Sequence, residues 1–88
     1  RMAKQRRIPT KIILPFDYVV TVQQVPPQSE ALLAEGGYSD GIWDPLSRII
    51  SVNNKLPAKR KRYIVIHEMQ HALVDLLHDL ADRGIVSP

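Results

Sequence analysis

The run Tyr63-Ile64-Val65-Ile66-His67-Glu68-Met69-Gln70-His71-Ala72-Leu73 limits what this chain can be more than any other stretch does. It lies in a segment that reads as one long helix. Leu56-Pro57 opens that helix, because proline is tolerated at the first helical position, and Gly84 stops it; the predicted span is about Pro57 or Ala58 to about Ala81. Helical residues four apart share a face with about 6 Å between them, so the imidazoles of His67 and His71 can grip one Zn²⁺ while Glu68 lies close enough to polarise a water on it. That combination points to the chemistry of a zinc-dependent peptidase.

At about 100° per residue, Val65, Ile66, Met69, Leu73, Leu76, Leu77 and Leu80 form one broad apolar stripe. Ile64, His67, His71, Val74, Asp75, His78 and Asp82 fall roughly opposite. The stripe is expected to pack on a sheet while both histidines project into a cleft. The chain holds 3 histidines, and all lie on the predicted cleft face, which favours a metal over a solvated surface that merely carries His and Glu.

With 88 residues the chain amounts to one small domain or a fragment of one, and on folding it buries only about 60 to 65% of its extended surface. Its core is therefore thin, and a metal or a partner chain is a plausible source of added stability. There is no cysteine, which excludes a disulfide framework, a cysteine-based zinc ribbon and a thiol nucleophile. Any metal site must use histidine and carboxylates. No run approaches the ~20 apolar residues of a membrane span, and the basic start is not followed by a signal-peptide core, so neither a membrane nor export is expected and the reading is cytoplasmic.

The formal charge of +3 conceals a segregation. Arg1, Lys4, Arg6, Arg7 and Lys11 make one basic cluster and Lys55, Lys59, Arg60, Lys61 and Arg62 a second, whereas Glu68, Asp75, Asp79 and Asp82 make the motif half acidic. The second cluster falls near the helix N-terminus, where the macrodipole prefers acids. No nucleic-acid module accompanies the basic residues, so nucleic acid is not the expected partner.

Residues 1–10 carry charge without periodicity and are expected to form a basic flexible arm, leaving residues 11–88 as a single domain. Pro15 interrupts an apolar run. Tyr18-Val19-Val20-Thr21-Val22 then has strand composition, and Pro26-Pro27 ends it because neither proline can donate to a ladder. Gln28 to Ala34 is expected to hold a short helix capped by Ser29. Tyr38 to Trp43, a turn at Asp44-Pro45-Leu46-Ser47, and Arg48 to Val52 make a hairpin. The predicted fold is α+β, a small, mostly antiparallel three-stranded sheet packed on one long helix.

This order of a strand, a hairpin ending in an isoleucine-rich strand, Asn53-Asn54, Leu56-Pro57, a basic turn and then the His67-Glu68-Met69-Gln70-His71 motif resembles the ImmA/IrrE-type metallopeptidases. The resemblance covers roughly Tyr38 to Leu77. It implies a minimal zincin-like domain of gluzincin type, with His67 and His71 as zinc ligands, Glu68 as general base, and a protein or peptide substrate such as a repressor.

One departure accompanies the match. Gluzincins take a third protein ligand, usually Glu, from a helix after the motif, and no Glu follows Glu68 here. On a straight helix Asp75 lies about 6 Å and His78 about 10.5 Å beyond His71 along the axis, too far for one ion with ligands at ~2 Å to span His67, His71 and His78. Metzincins turn the chain with Gly after the second His; Ala72 to Leu77 has none. The open candidates are Asp79 or Asp82 after an early helix end, Glu30, Glu35 or Asp40 from the preceding loop, a carboxylate from a second copy in a homo-oligomer, or water.

The expected mechanism is peptide-bond hydrolysis. Zinc lowers the pKa of its water toward ~7, and Glu68 takes the proton and later passes it to the leaving amine. A strand at the cleft edge, Arg48 to Val52 or Tyr38 to Trp43, would bind an extended substrate by strand addition, and Tyr63 or Tyr38 would assist the oxyanion. A competing reading is an inactive zincin-like binding or assembly module that uses its basic clusters. A third is a DNA-associated nuclease-like hydrolase, for which no phosphate-binding loop is present.

Overall fold

The structure, a computed structural model, describes residues 10–84. The expected arm over residues 1–10 lies outside the described residues except for Thr10, whose carbonyl accepts from the Val22 amide at 2.8 Å. Strand β1 (Lys11–Leu14) pairs antiparallel with β2 (Tyr18–Val25), in a register that sets Lys11 opposite Thr21 and Leu14 opposite Tyr18. Their hairpin turns through Pro15–Asp17, where Phe16 and Asp17 adopt φ of 65° and 60°. Pro15, which interrupts an apolar run in the sequence, therefore starts a tight turn between two strands. Asp17 tolerates the left-handed conformation, but Phe16 rarely adopts it, and no glycine marks the turn.

Ser29 caps as expected, its Oγ accepting from the Ala31 amide at 3.2 Å. What it caps is a single 3-10 turn, Glu30–Leu32. That turn packs against the two strands of the later hairpin, Gly41–Asp44 and Ile49–Asn53, and buries Leu32 completely. Strands β3 (Leu33–Ala34) and β4 (Gly37–Tyr38) form a two-stranded ribbon of their own, reversed at Gly36 and Gly37 with φ of 135° and 126°. Tyr38 thus belongs to this ribbon, separate from the hairpin strand with Trp43.

Strands β5 (Gly41–Asp44) and β6 (Ile49–Asn53) form the anticipated hairpin. Asp44 organises its turn: Oδ1 accepts from the Leu46 amide at 3.1 Å and Oδ2 from the Ser47 hydroxyl at 2.9 Å. The Arg48 amide closes the loop onto the Asp44 carbonyl at 2.8 Å.

The sheet overturns the expectation of three mostly antiparallel strands. It has four strands in the order β1-β2-β6-β5, and the central pair, β2 and β6, is parallel, from Thr21 opposite Ile49 to Val25 opposite Asn53. The chain between them, carrying the 3-10 turn, the β3–β4 ribbon and β5, returns β6 to the starting end of β2. Parallel strands need such a crossover, and alternation of apolar and polar residues reads the same in either direction.

Helix α1 (Ala58–Asp82) follows with Pro57 as its N-cap residue, and Gly84 at φ 76° ends it. It covers one sheet face and closes a core of Tyr18, Val20, Val22, Ile50 and Val52 against Ile64, Val65, Ala72, Leu76 and Leu80. The helix is rotated from the stripe that periodicity predicts. Ile66, Leu73 and Leu77 are exposed, at 62%, 41% and 57%, whereas Ile64 and Ala72 are buried. The rotation brings Glu68 and Asp75 over β5. No described helix is long and apolar enough to cross a membrane.

Candidate metal centre

The uninterrupted first half of α1 sets four side chains in a row: Arg60, Tyr63, His67 and His71. The rings of His67 and His71 have centroids 5.4 Å apart at an interplanar angle of 83°, and Tyr63 stacks on His67 at 6.2 Å and 22°. Arg60 places its guanidinium 5.3 Å above the Tyr63 ring and meets Asp40 Oδ2 at 3.9 Å. Both imidazoles are exposed.

A centroid separation of 5.4 Å puts the two imidazoles within reach of one small cation, for which neutral imidazole nitrogen is a suitable donor.

Glu68 projects on the sheet side of this row. Gly41, at the start of β5, lies against Ile64 and Glu68 without room for a side chain. Two clefts meet at that contact, both lined by Ser39, Gly41 and Glu68. One, of about 580 Å³, extends past His71 to Trp43 and Asp75. The other, of about 360 Å³, extends past His67 to Tyr63, Arg60 and Asp40. Glu68 is therefore central in a groove running between α1 and the edge strand β5, with one histidine toward each end.

Strand β5 presents a definite pattern to that groove. The carbonyls of Asp40 and Asp44 accept from the amides of Asn53 and Arg48 at 2.9 and 2.8 Å, so the alternate residues, Gly41 and Trp43, turn their backbone groups to the open edge. Ser39 occupies the Gly41 position: its hydroxyl donates to the Gly41 carbonyl at 2.9 Å and accepts from the Gly41 amide at 3.4 Å. Trp43 is the open-edge position beyond it. Its indole Nε1 also donates to Asp75 Oδ2 at 2.6 Å, tying β5 to the helix one turn past His71. No spacing rule links Trp43 to Asp75, 32 positions away.

Three of the nearby acids already have partners. Asp75 accepts from Trp43, Asp79 pairs with Arg83 at 3.3 Å, and Asp40 meets Arg60 and accepts from Asn53 Nδ2 at 3.4 Å. Among the described residues no three His, Asp or Glu side chains are grouped to hold one ion. His78 is exposed farther along α1, and Tyr38 is exposed on β4.

Over a 51-residue stretch the chain is 40% identical to a protein of Deinococcus deserti, the radiation response metalloprotease IrrE. The match takes in 53% of this chain and 18% of that protein's length. No family model matches the chain, and no solved structure matches it.

Proposed function

We propose that the chain is the zinc-binding and catalytic element of a metallopeptidase, with His67 and His71 as metal ligands and Glu68 as general base. One observation carries the reading: the two imidazoles stand 5.4 Å apart beside a carboxylate at the centre of a groove bounded by an open strand edge. The partial likeness to a metalloprotease supports it. We keep the cytoplasmic reading as part of the proposal.

Zinc held by the two histidines supplies Lewis acidity, acidifying water and polarising a carbonyl. The protein residues do the rest. Glu68 takes a proton from the attacking water and delivers it to the departing amine. An extended protein or peptide substrate pairs with the backbone of Trp43 at the open edge of β5, in the manner of strand addition. Tyr63, stacked on His67, limits the ring's rotation. The third position is filled by a carboxylate of a second copy or by solvent.

Zinc content and cleavage of unstructured protein, compared between the chain and Glu68→Gln, test this. Glu68→Gln should keep zinc and lose at least about a hundredfold in cleavage, the usual scale of a general base. Equal cleavage by both, or no zinc in either, rejects the proposal.

The absence of a third grouped donor among the described residues favours a second reading, an inactive binding or assembly module. It expects His67→Ala to leave partner binding intact and charge reversal at Lys59, Arg60, Lys61 and Arg62 to abolish it.

A further inference from the structure

The larger of the two clefts combines apolar walls with two carboxylates, Glu68 and Asp75, neither in an ion pair among the described residues; Glu68 is the proposed general base, which leaves Asp75 for another role. Ile42, Trp43, Pro45 and Val74 supply the walls, and Asp75 lies one helical turn past His71. Asp75 is half-buried, and one oxygen is held by the Trp43 indole at 2.6 Å. Among the described residues no lysine or arginine forms an ion pair with it; the pairs there are Arg60 with Asp40 and Arg83 with Asp79.

A half-buried carboxylate with a single neutral donor still has acceptor capacity, since an ionised carboxylate offers two oxygens and about four lone-pair sites. The indole fixes its orientation, which reduces the ordering cost of a further bond. An apolar corridor leading to an anchored anion suits a side chain with an aliphatic stem and a cationic head. A volume of about 580 Å³ leaves room for such a side chain beside the backbone at Trp43.

We propose that this cleft is a specificity pocket for an arginine or lysine side chain of the substrate, with Asp75 as the charge that selects it. The proposal rests on the peptidase reading for its biological meaning, but it is tested without turnover. Trp43 is the one tryptophan of the chain and lines the pocket, so its emission reports occupancy directly.

The test titrates the chain carrying Glu68→Gln with the N-acetyl methylamides of arginine, lysine, norleucine and glutamine, following Trp43 fluorescence. Arginine and lysine should shift the emission and bind about tenfold or more tightly than norleucine or glutamine, the scale of one hydrogen bond to a charged group. Asp75→Asn retains an acceptor for the indole but drops the charge, and should erase the preference; Asp75→Glu should retain it. If Asp75→Asn loses its helical circular dichroism, Ala34→Lys on the exposed wall gives the same answer by weakening the basic probes alone. Equal binding of norleucine, a preference surviving in Asp75→Asn, or no response of Trp43 to any probe overturns the pocket. A chain that holds zinc and cleaves without basic preference loses the pocket and keeps the peptidase. A chain with neither zinc nor cleavage that still prefers arginine loses the peptidase and keeps the pocket.

Discussion

Gly41 and Ile64 meet backbone to side chain, in a gap that admits no β-carbon. This contact sets the distance between β5 and α1 where Glu68 enters the groove. Its neighbour on the other side, the Ser51 carbonyl, lies 3.5 Å from the same β-carbon position and is fixed in the sheet. An added methyl group must therefore push the helix, and overpacking of this kind costs about 1–3 kcal/mol. Gly41→Ala should lower the denaturation midpoint accordingly and alter the emission of Trp43, two residues along. A midpoint within error of the parent would mean that the helix yields without resistance.

The rotation of α1 gives opposite expectations for two leucines that look equivalent in sequence. Leu76 is 5% exposed and closes the core, whereas Leu73 is 41% exposed. Leu76→Ala should cost about 2–5 kcal/mol through lost burial and the cavity left behind. Leu73→Gln should change stability by no more than about 0.5 kcal/mol. Urea unfolding of both variants checks the helix orientation, because the stripe predicted from periodicity would have both changes damaging.

Arg60 and Asp40 close the narrower end of the groove at 3.9 Å, with half of each side chain in solvent. Exposed pairs of this kind contribute about 0.2–1 kcal/mol and weaken with salt. Arg60→Gln should accordingly cost less than about 1 kcal/mol at low ionic strength and less still at high salt. A larger, salt-independent loss in thermal unfolding would show that Arg60 acts through its packing on Tyr63.

The helix, its cap region, its glycine stop and the β5–β6 hairpin were legible because each has a local signature: Pro57 at the start, Gly84 at the end, Asp44-Pro45 in the turn. That His67 and His71 neighbour each other on α1 was legible for the same reason, since four residues along a helix is a fixed geometry. The hairpin at Pro15–Asp17 was not, because Phe16 occupies a conformation its type rarely adopts. Nor was the parallel pairing of β2 with β6, which depends on how the intervening chain returns. The helix face was misjudged at Ile66, Leu73 and Leu77 because a count of apolar side chains gives no weight to Ala72. That residue is fully buried, and its small side chain allows close approach to the sheet. The bond between Trp43 and Asp75 joins elements that only the tertiary fold brings together.

A metal held by His67 and His71 should stabilise the folded chain, because the pair exists at 5.4 Å only while α1 is formed. Ligand binding to the native state alone adds RT ln(1 + [L]/Kd), about 2.7 kcal/mol at a zinc concentration a hundred times Kd. In a domain of this size each kcal/mol moves the melting temperature by about 4–8 °C, so saturating zinc should raise it by roughly 10–20 °C. His67→Ala and His71→Ala should each remove most of that shift, since an ion left with one imidazole loses its chelate. Glu68→Gln should keep it, because that side chain is assigned to the proton and not to the metal. Thermal melts of the four proteins with and without zinc decide the point. A shift that survives loss of either histidine would place the metal elsewhere, and a shift abolished by Glu68→Gln would make Glu68 a ligand.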